Sequence, residues 1–177
     1  MPAQILLFNG SLGVGKTATA DAAGHLLASA AVPHATIDFD WLTAYYPRDA
    51  DDQWGTRGGM LNLAALWRNY SARGIERLLI ARVVEKETDL NEYRIAIPDC
   101  RITVARLRAQ PSTLLARIRQ RGPGQEWHLK RTVELALQMD EHPVGDFTVE
   151  TDGRSARAVA AEVLRRASWL QTDITDS

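Results

Sequence analysis

A glycine-rich stretch near the start of the chain has the residue types needed to hold phosphate. It reads Gly10-Ser11-Leu12-Gly13-Val14-Gly15-Lys16-Thr17, after the apolar residues 5–8 and before a helical pattern. Glycines let such a turn bring several backbone N–H groups onto one phosphate, and the next helix adds the positive end of its dipole. Lys16 supplies a charge for the outer phosphates, and the Thr17 hydroxyl supplies a ligand for Mg²⁺. The stretch predicts that all eight residues bind ATP or GTP with Mg²⁺.

Two aspartates stand at the end of the second predicted strand, residues 34–38. Asp38 and Asp40 are two positions apart, so their side chains point the same way if the strand continues past Asp38. One carboxylate beside the glycine-rich stretch can hold Mg²⁺, and the other can accept a proton from an attacking hydroxyl. We expect Asp38 to be the base and a ligand of Mg²⁺, with Asp40 as the second candidate for the base. The alternative is that Asp40 caps a helix that starts at Trp41.

Three arginines precede a break in the helical pattern that follows the fourth strand. Arg117 and Arg121 share one helix face, whereas Arg119 points elsewhere. Arginines beside the glycine-bearing break at 122–124 can close over the terminal phosphate and stabilise the charge of the transition state. We therefore expect Arg117 and Arg121 to be catalytic and residues 117–131 to form a lid. The alternative is a solvated basic face on a surface helix.

The loop Thr151-Asp152-Gly153-Arg154 follows the last predicted strand. Its backbone groups can bind the base of the nucleotide, and the Arg154 guanidinium can stack on the ring. Asp152, Gly153 and Arg154 are therefore candidate nucleotide-binding residues. The alternative is a simple turn in which Asp152 caps its neighbours.

A polar loop that is longer than most connections follows the aspartate pair, and a helix follows the loop. Within this region Arg57, Asn62 and Trp67 suit a polar small molecule that contains a ring. We expect these three residues to contact the acceptor together with Asp38 and Asp40. The alternative for Trp67 is packing at the rim of the core.

Apolar periodicity divides the chain into alternating strands and helices. Strands are predicted at residues 5–8, 34–38, 77–84, 102–108 and 147–150, and helices at 60–73, 89–95, 126–139 and 155–170, with two more after Gly15 and from Pro111. Alternation of this kind predicts an α/β doubly wound parallel sheet, because each connection is a crossover. Ligands then bind at the carboxyl ends of the strands, where the glycine-rich stretch, the aspartate pair and the 151–154 loop lie.

The composition fits one soluble domain. Of 177 residues, 45% are hydrophobic and 24% are charged, and the formal net charge is −1. We expect a single domain over residues 1–171 with a tail at 172–177. The charge gives no support to a nucleic-acid-binding or membrane-binding surface, and no apolar run approaches the length of a membrane span. The single cysteine, Cys100, fits a reducing cytoplasm, where we expect a monomer or homodimer.

The glycine-rich stretch, the aspartate pair, the arginine-flanked break and the Thr-Asp-Gly-Arg loop occur in an order that resembles the small P-loop kinases over nearly the whole chain. This family includes adenylylsulfate, shikimate and gluconate kinases and chloramphenicol phosphotransferase. Asp38-Phe39-Asp40 is similar to the Asp-x-Asp of shikimate and adenylylsulfate kinases. Ile37-Asp38 is similar to the Val-Asp of chloramphenicol phosphotransferase, where that Asp is the base. The resemblance implies a P-loop NTPase fold, three-layer α/β/α, with a five-stranded parallel sheet in the order 2-3-1-4-5 and a helical lid.

The same resemblance implies an activity, the Mg-dependent transfer of the γ-phosphoryl group of ATP to a hydroxyl of a small molecule. The alanine- and arginine-rich composition is of the kind found in high-GC actinobacteria. There the family includes antibiotic-inactivating phosphotransferases, among them ones that resemble the capuramycin-type kinases, which implies an antibiotic acceptor and a role in resistance. One departure is the third strand, which lacks the Walker B aspartate and offers only Glu85 beyond its end. Magnesium would therefore depend more on Thr17 and Asp38.

Two other functions are open at this point. A nucleotide-binding ATPase or regulatory switch would act on a protein partner, but such proteins usually carry the Walker B aspartate and a residue that positions water. A module that binds nucleotide without turnover is the other alternative.

Overall fold

The computed structural model describes residues 2–170, and within them the chain forms one five-stranded parallel sheet. The strand order is β2-β3-β1-β4-β5, which confirms the order 2-3-1-4-5. The strands are β1 (Gln4–Asn9), β2 (Ala35–Asp38), β3 (Arg77–Ala81), β4 (Arg101–Arg108) and β5 (Phe147–Glu150). Because all strands run the same way, their carboxyl ends meet at one edge of the sheet. That edge carries the glycine-rich stretch after β1 and the aspartate pair after β2.

Helices cover both faces of the sheet. They are α1 (Lys16–Ser29), α2 (Phe39–Leu42), α3 (Thr56–Ser71), α4 (Leu90–Ala96), α5 (Pro111–Arg119), α6 (Glu126–Glu141) and α7 (Ala156–Arg166). Alternate residues of β1 face opposite ways: Leu6 packs in an apolar cluster with α1, α5 and α7, and Leu7 packs in a second cluster with α3 and α4. The three-layer α/β/α architecture is therefore confirmed. Between residues 2 and 170 no helix is long and apolar enough to span a bilayer.

Several element boundaries differ from the predicted ones. Helix α2 begins at Phe39, and its cap is Asp38, whose side chain accepts a hydrogen bond from the Asp40 N–H. The alternative, in which Asp40 caps a helix starting at Trp41, is therefore wrong. Helix α7 ends at Arg166 instead of residue 170. The predicted tail at 172–177 lies outside the described residues.

Helix α3 begins at Thr56, four residues before the predicted start at residue 60. The buried Asp52 explains the difference. Its carboxylate accepts hydrogen bonds from the backbone N–H groups of the first turn, those of Thr56, Arg57 and Gly58. Free N–H groups at a helix start are normally satisfied by such a side chain. The two glycines at 58 and 59 had obscured this start in the sequence pattern.

Asn9 organises the carboxyl edge of the sheet around the end of β1, where it is completely buried. Its Nδ2 donates to the carbonyl oxygens of Val84 and Val144, each at 3.0 Å. Its Oδ1 accepts from the N–H groups of Gly10 at 2.7 Å and Val84 at 2.8 Å. The side chain thus joins three segments. Because it takes the Val84 N–H away from the strand ladder, β3 ends at Ala81 and not at the predicted residue 84.

Candidate active site

The glycine-rich stretch forms the tight turn that a phosphate-binding loop needs. Gly10, Gly13 and Gly15 have φ angles of +143°, +80° and +101°, a region that side chains rarely adopt. A Cβ at Gly10 would lie 2.5 Å from the carbonyl oxygen of Leu107, so Gly10 is required by contact as well as by conformation. The loop then enters α1 at Lys16. The start of α1 and its free N–H groups are therefore aimed at whatever the loop holds.

We expect Gly10→Ala to lower the free energy of unfolding by about 2–4 kcal/mol, because the methyl group meets a backbone oxygen that cannot easily move. Urea unfolding followed by circular dichroism measures the change. The matched control is Gly153→Ala, where φ is +63° and no heavy atom of the described chain lies within 4 Å of the added Cβ. That variant should lose only about 1 kcal/mol, the cost of the backbone conformation alone. Equal losses in the two variants would contradict the close contact at Leu107.

The Lys16 side chain folds back onto the glycine-rich loop. Its Nζ donates to the carbonyl oxygens of Gly10 and Ser11, each at 3.0 Å. Burial lowers the pKa of Lys16 to about 8, opposed by the carboxylates of Asp40 and Asp38 and reinforced by the charge of Arg121. Lys16, both aspartates and one predicted lid arginine therefore interact electrostatically in one place.

This pKa predicts how nucleotide affinity depends on pH. Bound phosphate favours the ammonium form, so Lys16 must be protonated in the complex. Below its pKa the free protein already carries that proton, and the dissociation constant of Mg-ATP should be level between about pH 7 and pH 8. Above about pH 8 binding must take up a proton, and affinity should fall by up to about tenfold per pH unit. Isothermal titration calorimetry in buffers of different ionisation enthalpy measures both the affinity and the proton uptake.

Lys16→Arg is the control for this pH profile, since a guanidinium stays charged throughout the range. The arginine variant should bind Mg-ATP more weakly because its fork fits the loop poorly, but its dissociation constant should stay level up to about pH 9. The same loss of affinity above pH 8 in both proteins would show that another group titrates.

Asp38 is the aspartate that contacts the phosphate-binding loop. The Thr17 hydroxyl donates to Asp38 Oδ2 at 2.7 Å, and the Asp40 N–H donates to Asp38 Oδ1 at 3.1 Å. A hydroxyl and a carboxylate side by side are the hard oxygen ligands that Mg²⁺ prefers, so Thr17 and Asp38 fit the ion. Residues 2–170 contain no cluster of three or more His, Cys, Asp or Glu that could hold a metal ion.

Asp40 differs from its neighbour in being exposed in the first turn of α2. Within residues 2–170 its carboxylate takes part in no hydrogen bond or ion pair, although it interacts with the charge of Lys16. Both oxygens of Asp38, by contrast, already accept hydrogen bonds. An exposed carboxylate with its lone pairs free is the one able to accept a proton from a substrate.

Arg117 braces the phosphate-binding loop from the end of α5. Its Nη1 donates to the Val14 carbonyl oxygen and to Thr151 Oγ1, each at 3.1 Å. Its Nη2 donates to the Thr151 carbonyl oxygen at 3.0 Å. These bonds join the loop to the segment after β5. A catalytic role of Arg121 is still a prediction, and Arg117 has at least this bracing role.

The 151–154 loop agrees in part with the alternative of a simple turn in which Asp152 caps its neighbours. The Asp152 carboxylate accepts from the N–H of Gln110 at 3.0 Å, which satisfies a backbone group at the start of α5. Arg154 donates to the Glu150 carbonyl oxygen at 3.0 Å and pairs with Glu162 at 2.8 Å. Its guanidinium is thus committed within the protein. The proposed contacts of Asp152, Gly153 and Arg154 with a nucleotide base stay predictions.

The segment predicted as a lid is held at its far end. Gly122 and Gly124 have φ angles of +101° and +80° and open space around them. Helix α6, which follows, is tied to the segment after β3, because Arg131 forms an ion pair with Glu85 and Gln138 donates to the other Glu85 oxygen at 3.3 Å. The part of the predicted lid that is free to move is therefore shorter than 117–131.

The predicted acceptor residues lie beside α2 but make internal contacts. Arg57 pairs with Asp49 and Asp51 at 3.0 and 2.8 Å, and Asn62 donates to the Leu42 carbonyl oxygen at 2.9 Å. Trp67 is partly buried and packs against the core, in agreement with the alternative that it is a packing residue at the rim of the core. Contact of these three side chains with an acceptor stays a prediction.

Arg82 was not foreseen from the sequence. It follows β3, and its Nη2 donates to Thr56 Oγ1 at 2.9 Å while its guanidinium lies 3.8 Å from the centre of the Phe39 ring. Close to it, burial raises the pKa of the Tyr93 hydroxyl, against the effect of the Arg82 charge. The end of β3 therefore carries a cation where the Walker B aspartate would stand. No spacing in the sequence signals these partners.

Several solved structures have a similar fold. A gluconokinase from Sinorhizobium meliloti 1021 is 19% identical with a TM-score of 0.60, covering 95% of this chain and 93% of its own. The adenylylsulfate (APS) kinase CysC from Mycobacterium tuberculosis, solved with AMPPNP and APS, is 14% identical with a TM-score of 0.63, covering 95% and 99%. A tunicamycin resistance protein from Deinococcus radiodurans is 17% identical with a TM-score of 0.62, covering 93% and 95%. No protein-family model and no curated protein matches the sequence.

The class that emerges is the small P-loop kinase fold. The neighbours cover nearly the whole chain, and the strand order of this chain is the one that the resemblance implied, so the resemblance drawn from the sequence motifs is confirmed for the fold. At these identities the likeness establishes the architecture, and the chemistry has to be argued from the residues of this chain.

Proposed function

We propose that this protein is a kinase that transfers the γ-phosphoryl group of ATP or GTP to a hydroxyl of a small molecule. The observation that supports the proposal is the 2.7 Å hydrogen bond from the Thr17 hydroxyl to Asp38 Oδ2, which joins the end of β2 to the glycine-rich loop. Phosphoryl transfer needs mainly a held triphosphate, charge neutralisation and a base beside the attacking oxygen. The side chains proposed to supply all three lie at this edge of the sheet.

Each residue then has one role. The N–H groups of residues 10–17 and the Lys16 ammonium bind and orient the outer phosphates. Thr17 and Asp38 would hold Mg²⁺, which when bound neutralises charge on the phosphates. Asp40 takes the proton of the attacking hydroxyl onto its carboxylate. Arg121, which acts on the charge of Lys16, balances negative charge on the transferring group.

Asp40 is the better base of the pair, which reverses the order preferred from the sequence. Asp38 accepts hydrogen bonds on both oxygens, so its lone pairs serve the loop and the cap of α2. Asp40 lies two residues further along, in the first turn of α2, where it is exposed and its carboxylate is available to solvent and substrate. Its position near the Lys16 charge puts it within electrostatic reach of the phosphates.

A switch or ATPase acting on a protein partner is the weaker alternative. Residues 81–84, at and after the end of β3, hold no carboxylate to orient water, and Arg82 occupies that position instead. The finer proposal for the kinase is an antibiotic acceptor in the cytoplasm, supported by the likeness to a tunicamycin resistance protein.

The test is a mass-spectrometric screen of acceptors. The protein is incubated with Mg-ATP and a panel of sugars, hydroxylated acids, nucleosides and antibiotics, and each compound is examined for an added phosphoryl group. The proposal expects one class of acceptor to be phosphorylated with ADP formed in equal amount. Release of inorganic phosphate at the same rate with every compound and with none would instead support the ATPase.

A further inference from the structure

Two exposed tryptophans from different parts of the chain pack against each other. Trp54 lies in the loop before α3 and is 63% exposed, and Trp127 lies in the first turn of α6 and is 55% exposed. Their ring centres are 6.1 Å apart, and the ring planes are inclined by 35°. Large aromatic surfaces that stay exposed at the meeting point of two segments mark a binding site more often than scattered single residues do.

Both indoles are held in place by their own segments. Arg48 donates to the carbonyl oxygens of Gln53 at 2.9 Å and Thr43 at 3.0 Å, which fixes the loop that carries Trp54. The His128 ring stands edge-on to Trp127, with ring centres 5.1 Å apart and planes at 86°. The two aromatic faces are therefore preorganised, which lowers the entropy cost of binding a ligand.

The contacts of neighbouring residues link both tryptophans to the segment that follows β3. Trp54 is two residues before Thr56, which accepts a hydrogen bond from Arg82. Trp127 is one helical turn before Arg131, so the side chains of Trp127 and Arg131 share a helix face. Arg131 in turn forms an ion pair with Glu85. Both tryptophans thus stand by the segment that follows β3. The last residue of β3, Ala81, is paired in the sheet with Asp38.

We propose that Trp54 and Trp127 form the binding subsite for a flat aromatic or heteroaromatic ring of the acceptor, whose hydroxyl reaches Asp40. This inference rests on the proposed kinase function and narrows its substrate to alcohols that carry such a ring. Two indole faces inclined to one another offer stacking to a planar ring, and stacking of this kind is tolerant of the ring's substituents. A ring-free polyol or a puckered ring has no flat face to stack.

Matched pairs of small alcohols test the subsite. The first pair is uridine and 5,6-dihydrouridine, whose saturated base is no longer planar. The second pair is adenosine and ribose, which has no base. Binding to the wild-type protein is measured by calorimetry and by saturation-transfer NMR, and phosphoryl transfer from Mg-ATP is followed in parallel. We expect the planar member of each pair to bind at least about tenfold more tightly, the range found for stacking of one base on an aromatic side chain.

Variants assign that preference to the two tryptophans. Trp54→Leu and Trp127→Leu should each weaken binding of the planar probes by about tenfold, whereas Trp54→Phe and Trp127→Phe should keep most of it. The controls are Leu61→Ala and Leu137→Ala, which remove equally exposed apolar side chains from α3 and α6 and should leave binding unchanged. The affinity for Mg-ATP and the melting temperature, measured for every variant, should also be unchanged.

The outcomes separate this subsite from the kinase function. The subsite is overturned if the wild type does not prefer the planar probes, if the leucine variants keep the preference, or if they weaken Mg-ATP binding by the same factor. Tryptophan-dependent ring binding with no transfer to any acceptor would support the subsite and refute the kinase. Transfer to ring-free alcohols at rates that the leucine variants do not change would support the kinase and refute the subsite.

Discussion

Lys16→Met should reduce kcat/KM for phosphoryl transfer by about 10²- to 10³-fold, the loss usual when one preorganised charge-stabilising donor is removed. Methionine fills the volume of the lysine stem but brings no charge to the outer phosphates. The melting temperature should not fall, because burial disfavours the Lys16 ammonium in the free protein, as its lowered pKa shows. Initial rates of ADP formation and a thermal melt measure the two effects.

Lys130→Met is the matched control for that variant. Lys130 is an exposed lysine of α6 that makes no hydrogen bond or ion pair with the described part of the chain. Its replacement should change the rate by less than about threefold, as expected for a surface charge. A Lys16 variant that kept most of its activity would remove the phosphate-binding loop from the mechanism.

Asp40→Asn should lower kcat by about 10²- to 10⁴-fold, the contribution usual for a positioned general base. The amide keeps the shape of the side chain but cannot accept the proton of the attacking hydroxyl. Because Asp40 takes no part in the predicted nucleotide contacts, the dissociation constant of Mg-ATP should change little. Single-turnover rates with saturating acceptor measure the loss, and calorimetry measures the affinity.

Asp38→Asn separates the two carboxylates. Since Asp38 accepts the Thr17 hydroxyl and is the proposed ligand of Mg²⁺, its amide should raise the Mg²⁺ concentration required for half-maximal rate. Part of the lost activity should return at high Mg²⁺, whereas the Asp40 variant should gain nothing. If Asp38→Asn alone abolished transfer at every Mg²⁺ concentration and Asp40→Asn were active, Asp38 would be the base, as the sequence first suggested.

The tight turn of the glycine-rich loop could be predicted from the sequence because its determinants are local. Gly10, Gly13 and Gly15 occupy the positive-φ positions, and Lys16 opens α1. The alternation of strands and helices is equally local, since it depends on apolar periodicity. The strand order was implied by family resemblance, and the sheet confirms it.

Contacts between segments that are distant in the chain could not be predicted from the sequence. Asn9 joins segments 75 and 135 residues away, and Glu85 joins α6 across 46 residues. Nothing in the spacing of these residues specifies such partners, because side-chain pairing across a fold depends on tertiary packing. A polar residue at the end of an otherwise apolar strand, as at Asn9, is the one signal that a buried hydrogen-bonding role would leave.

For Arg117 the position in the helix was predicted correctly, but its contacts with other segments were not. The sequence placed it at the end of α5 beside a glycine-bearing break, and the structure agrees. Its guanidinium nevertheless turns toward Val14 and Thr151, where carbonyl oxygens accept its donors. Which way a long side chain turns depends on the oxygen atoms around it, and those come from segments about a hundred positions earlier and about thirty later.

The fate of the γ-phosphorus of ATP tests the central claim most directly. ³¹P NMR of the protein with Mg-ATP and the acceptor found by the screen distinguishes a phosphate monoester from inorganic phosphate. A kinase with Asp40 as base predicts a monoester signal that grows in step with ADP and that nearly vanishes in Asp40→Asn. Growth of inorganic phosphate alone, at a rate that neither the acceptor nor Asp40→Asn changes, would contradict it.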